Sequence, residues 1–130
     1  MQVERLHHTS VPRPPGEEAH RRAVDFYSGI LGLEHIPMPP TFVGKIEVTW
    51  FRCGENEIHV YAMAADEQVP HSGAHFCLIV EDLRATREQL ERAGCRCDDA
   101  VPIPHRPRFY TWDPFGNWIE ITSIEGDYMT

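Results

Sequence analysis

Phe109-Tyr-Thr-Trp-Asp-Pro-Phe-Gly-Asn-Trp-Ile-Glu-Ile121 contains two alternating runs separated by a turn. Asp113-Pro-Phe-Gly116 places Pro at the second and Gly at the fourth position of a type I turn, which predicts a hairpin between strands over 106–112 and 117–123. Upstream, a strand over 95–100 completes a three-strand run. Before it, Asp82 stands as N-cap to a helix over 83–93, whose apolar face is Leu83, Thr86, Leu90 and Ala93 and which Gly94 stops. An apolar strand over 74–80 leads into that helix. The second half of the chain thus reads strand, helix, three strands.

The first half repeats this order. A weakly alternating strand over 3–11 is broken by Pro12-Arg-Pro-Pro-Gly16. A helix over 17–31 follows, with Ala19, Ala23, Phe26, Tyr27 and Ile30 at helical spacing and Gly32 as its stop. Strands over 33–38, 45–53 and 57–62 come next, and 64–73 carries no period and reads as a linker. The organisation is one domain over 1–130, with module one at 1–63, the linker at 64–73 and module two at 74–124.

Landmark spacing supports a true repeat. Gly32 precedes His59 by 27 residues and Gly94 precedes Glu120 by 26. His8 precedes Gly32 by 24 and His75 precedes Gly94 by 19, the difference matching the Pro-rich insertion. His8 therefore pairs with His75, and His59 with Glu120.

Strand parity places each of these residues opposite an apolar face: His59 opposite Ile58 and Val60, His75 opposite Phe76, Leu78 and Val80, Glu120 opposite Ile119 and Ile121. On the first strand His7 and His8 are both candidates, and the repeat spacing favours His8. Three imidazoles and one carboxylate form a donor set suited to Zn, Ni, Fe(II), Co or Mn.

Composition narrows the function. The chain has 130 residues, 20 acidic and 12 basic, for a formal charge of −8, with no basic stripe, which argues against nucleic acid as a partner. No apolar run approaches a membrane span and the N-terminus has no signal-like apolar region, so a cytoplasmic protein without a membrane partner is expected. Cys53, Cys77, Cys95 and Cys97 lack paired CxxC spacing and are expected to be reduced thiols.

The segments Leu6-His-His-Thr9, Ala23-Val-Asp-Phe-Tyr-Ser-Gly-Ile-Leu-Gly-Leu33, Glu57-Ile-His-Val-Tyr61, His75-Phe-Cys-Leu-Ile-Val80 and the 109–121 hairpin resemble the glyoxalase, bleomycin-resistance and extradiol-dioxygenase superfamily, also called vicinal oxygen chelate proteins. The resemblance implies an α+β fold in which two paired βαβββ modules form an open, curved mixed-sheet barrel with helices outside. It implies a divalent metal at His8, His59, His75 and Glu120, a small-molecule substrate captured through two neighbouring oxygens, and a homodimer. Metal chemistry of this kind stabilises charge developing on oxygen.

Glyoxalase I usually carries a carboxylate where this chain has His59, leaving Glu120 and His59 as the candidate catalytic bases. The expected activity is that of a lyase or isomerase. Extradiol dioxygenases and fosfomycin-resistance enzymes use two His and one Glu, a pattern met by His8, His75 and Glu120, whereas bleomycin-binding members lack the metal. The alternatives are thus an Fe(II) dioxygenase or a metal-free protein that binds an antibiotic or metabolite. Candidate substrate contacts are Glu57, Tyr61, Arg52, Arg108, Tyr110 and Trp118, with Thr122, His105 and Arg106 as further members of the same faces and loops.

Overall fold

The computed structural model of the chain describes residues 1–64, 66–67 and 73–129. Most of the expected linker over 64–73 lies outside the described residues. The chain divides into two units, Met1–Pro70 and His71–Thr130, and each contains one helix-bearing repeat.

In the first unit β1 (His8–Arg13), α1 (Glu17–Val24), β2 (Glu34–Ile36), β3 (Val48–Cys53) and β4 (Asn56–Ala62) follow in chain order. The sheet order is β1-β4-β3-β2, with β1 parallel to β4 and the other pairs antiparallel. β1 starts later than the sequence predicts and runs through Pro12 to Arg13. An edge strand tolerates Pro because one row of its N–H groups faces away from the ladder. Arg13 anchors this end: its side chain is 1% exposed and bonds the Pro14 carbonyl, the Glu47 carboxylate and the Thr49 hydroxyl.

α1 continues into a wider π-helical turn over Asp25–Ile30, which brings the consecutive rings of Phe26 and Tyr27 both into the core. Tyr27 meets Phe51 with ring centroids 5.1 Å apart. The helix thus covers the Phe51, Ile58 and Val60 face, and His59 faces the other way.

The second unit repeats this topology with β5 (His75–Ile79), α2 (Leu83–Arg92), β6 (Cys97–Asp99), β7 (Arg108–Trp112) and β8 (Trp118–Thr122), in sheet order β5-β8-β7-β6. β5 and β8 are parallel. Asp82 caps α2 by accepting from the Ala85 N–H at 3.0 Å. Phe109, Ile119, Ile121 and Leu90 form the core. The 113–116 turn closes as predicted, with Gly116 donating to the Asp113 carbonyl at 3.1 Å and the Asp113 carboxylate accepting from the N–H groups of Phe115 and Asn117. Both sheets are mixed and curved rather than closed, with the helices outside.

Candidate metal and substrate centre

Register explains how each unit pairs two distant residues. In the first unit His8 lies opposite Glu57 and Ser10 opposite His59. In the second, His75 lies opposite Trp118 and Cys77 opposite Glu120. Each parallel pair therefore sets its two candidate donors diagonally, two residues out of step, on the face away from the helix.

In the first unit the His8 and His59 rings stack with centroids 4.1 Å apart and planes 20° from parallel. Trp50, the cross-strand partner of His59, stacks on the other side of that ring at 4.1 Å and 8°. His59 Nε2 donates to Glu57 Oε1 at 2.8 Å. Burial holds the His59 imidazole below its usual pKa, opposed by the Glu57 hydrogen bond and aided by His8, so the ring is neutral near pH 7. The Glu57 carboxyl is lowered chiefly by its bond to His59. His7 Nδ1 lies 3.0 Å from His8 Nδ1, within hydrogen-bond distance.

In the second unit Glu120 is the hub. Arg106 Nη1 donates to its Oε2 at 2.7 Å, Arg108 Nη1 to its Oε1 at 3.2 Å, and His75 Nε2 lies 3.2 Å from Oε1. Burial pushes this carboxyl up, and Arg106, Cys77 and Arg108 together outweigh it, leaving Glu120 below the usual carboxylate range. Burial and the Glu120 charge raise the Cys77 thiol to about 11. Tyr110 accepts from Arg108 at 2.8 Å, and its ring packs on Trp118 and on His75. The Trp118 Nε1–H and Arg106 Nε–H groups are buried with no hydrogen-bond partner among the described residues.

The His75 and Glu120 pair fits a divalent ion. Nδ1 of His75 lies 2.9 Å from the Gly73 carbonyl and donates to it, an outer hydrogen bond common to metal-bound histidines that turns the Nε2 lone pair outward. His75 Nε2 then faces a carboxylate oxygen across 3.2 Å, a span that either a proton or a cation can bridge. The span is close to the edge of a tetrahedral site with bonds of about 2.1 Å. His8 and His59 offer neutral-type donors, but parallel rings send their in-plane lone pairs alongside each other, so sharing an ion requires one ring to turn. Among the described residues, no group of three or more His, Cys, Asp or Glu side chains comes together to hold a metal.

Of the other sequence candidates, Arg52 pairs with Glu34 at the sheet edge and is half exposed, and Tyr61 shares the His59 face and is exposed. Arg106 and Arg108 are not solvated surface charges: their side chains are 17% and 14% exposed against Glu120. Trp50 and Cys77 are members of these faces that chemical type alone does not single out. Register, which parity alone does not give, pairs Trp50 with His59 and Cys77 with Glu120 across neighbouring strands.

A family model for the Glyoxalase/Bleomycin resistance protein/Dioxygenase superfamily matches residues 5–121. The chain belongs to this superfamily. It is similar to a solved glyoxalase family protein from Bacillus anthracis, at 31% identity over 95% of this chain and 98% of that one, with a TM-score of 0.85. It shares its fold with a lactoylglutathione lyase from Agrobacterium tumefaciens (20% identity, 95% and 96% covered, TM-score 0.67). A fosfomycin resistance protein from Listeria monocytogenes has the same fold (11% identity, 94% and 94% covered, TM-score 0.72). No curated protein matches the chain significantly. Members of the superfamily commonly use divalent metals, and no helix among the described residues of this one is long and apolar enough to cross a membrane.

Proposed function

We propose that this superfamily member is a divalent-metal-dependent, glyoxalase-like lyase or isomerase acting on a small molecule with two vicinal oxygens. The observation that supports this reading is the approach of His75 Nε2 and Glu120 Oε1 to 3.2 Å, with the far nitrogen of His75 2.9 Å from the Gly73 carbonyl. His8, His75 and Glu120 would hold the ion, Zn, Ni, Fe(II), Co or Mn, with His59 as fourth donor or as proton carrier. When bound, such an ion supplies Lewis-acid stabilisation of negative charge on a substrate oxygen. The two units would act as a single domain in a cytoplasmic homodimer.

The chain's own groups divide the remaining work. Glu120 has both oxygens engaged by guanidiniums, which weakens it as a base. His59 is neutral, clamped between the rings of Trp50 and His8, and backed by the Glu57 carboxylate, which would stabilise the imidazolium formed on taking a proton. We assign proton transfer to His59, with Glu57 as its positioning residue. Tyr61, Arg52, Tyr110, Trp118 and Arg108 remain the candidate substrate contacts.

The test is solvent-deuterium incorporation at the carbon beside a carbonyl, followed by NMR with the metal-loaded protein and a panel of small 2-oxo and 2-hydroxy compounds. Exchange that His59→Gln slows at least a hundredfold is expected; exchange unaffected by that change refutes the role of His59. Because Glu57 already occupies His59, the remaining two-His, one-Glu set also suits Fe(II) oxygenation. Oxygen uptake with catechols after anaerobic Fe(II) loading, without proton exchange, would replace the lyase reading with that one. Failure to take up any metal at micromolar concentration would favour a metal-free binding protein.

A further inference from the structure

The Glu120 cluster is unbalanced in charge. Among the described residues, one carboxylate faces two guanidiniums, all three little exposed, so this group carries one positive charge in excess even before any cation is added. Buried unpaired charge is costly, and a divalent ion held by Glu120 would raise the excess to three. The two arginines are also held differently. Arg108 is fixed, bonding the Val101 carbonyl through Nε at 3.2 Å and Nη2 at 3.0 Å, and Tyr110 through Nη1. Arg106 is held by one short bond to Glu120 and a long contact to the Cys77 sulfur at 3.9 Å, lies over the Tyr128 ring, and leaves its buried Nε–H without an acceptor among the described residues. Nε together with a terminal nitrogen is the edge with which a guanidinium grips a carboxylate in two parallel bonds.

We infer that the substrate is a 2-oxo- or 2-hydroxycarboxylate, and that Arg106 receives its carboxylate while Arg108 keeps its place against Glu120. The inference rests on the proposed function for the vicinal-oxygen chemistry only; the anion site is built from this unit's own residues. It accounts for the excess charge, for the Nε–H without an acceptor among the described residues, and for the contrast between Arg108, bonded to several groups, and Arg106, bonded chiefly to Glu120. Binding of cation and carboxylate would then be mutually favourable, since each supplies the charge the other lacks.

Isothermal titration of the full chain with lactate and with lactamide, which share the vicinal oxygens and differ in charge, tests this in metal-free and Co(II)-loaded protein. Wild type is expected to bind lactate at least tenfold more tightly than lactamide in both forms. In Arg106→Gln the preference should fall below threefold. Arg106→Lys, which keeps the charge and loses the fork, should lose at least threefold of it and stands in should Arg106→Gln fail to fold. Equal binding of the two probes by wild type, or a preference that survives these substitutions, overturns the carboxylate assignment. A Co(II) titration without heat or spectral change refutes the metal reading separately, because the metal-free arm still judges the anion site.

Discussion

Glu120→Gln is the substitution whose cost follows most directly from the geometry. It preserves shape but removes the charge that faces Arg106 at 2.7 Å and Arg108 at 3.2 Å, and it turns one acceptor oxygen into a donor nitrogen aimed at a guanidinium. With the Glu120 side chain 5% exposed, solvent cannot replace what is lost. Breaking such a buried arrangement from one side costs about 3 kcal/mol. At a urea slope of about 2 kcal/mol/M that lowers the unfolding midpoint by about 1.5 M. Urea unfolding of metal-free protein in chelator, followed by tryptophan fluorescence, measures it. Removing the stranded charge as well, in Glu120→Gln with Arg106→Met, should recover about 1–2 kcal/mol relative to additivity. A single variant within about 0.5 kcal/mol of wild type, or a strictly additive pair, would mean that the guanidiniums are effectively solvated and that the excess-charge argument is wrong.

Phe51→Ala empties the centre of the first unit, where the ring is fully buried against Tyr27, and should cost about 3–5 kcal/mol by urea unfolding. Gly116→Ala forces a side chain onto a backbone at φ +94° in the hairpin turn and should cost about 1 kcal/mol or more, read as a lower melting temperature. The Glu47 carboxyl is held below its ordinary range chiefly by the Arg13 hydrogen bond and the Gly16 N–H. Its stabilising contribution is therefore complete above the unfolded pKa of about 4.3 and is lost as pH falls through the lower folded value. The stability gap between wild type and Glu47→Gln should be constant near neutrality and close below that pH; a gap independent of pH down to the acid limit would contradict the Arg13 pairing.

The periodicity of the chain carried the topology because each strand is apolar on one face only: Ile58 with Val60 and Ile119 with Ile121 fix which side meets the helix, and so where His59 and Glu120 point. Strand ends were less legible. Pro12 looks like a break, yet an edge strand needs only half its N–H groups, and the buried Arg13 holds the chain extended one residue further. The π-helical turn at 25–30 was hidden because helical spacing alone does not explain two adjacent buried rings at Phe26 and Tyr27. At the candidate site, residue type and parity found the imidazoles and the carboxylate. They did not reveal that Arg106 and Arg108 close on Glu120, since the loop before β7 has no period to orient it, nor that Trp50 clamps His59, since a Trp on a half-buried strand is equally a packing residue.

The central claim is that His75 and Glu120 share a divalent ion, and Co(II) titration of tag-free protein by visible absorption addresses it most directly. Wild type should bind one equivalent per chain with a d–d band, His75→Ala should lose that band entirely, and His7→Ala, which removes a hydrogen-bonded neighbour of His8 but no proposed ligand, should keep the band and the stoichiometry at an affinity about 10-fold weaker. Stoichiometric Co(II) binding that persists in His75→Ala would contradict the account.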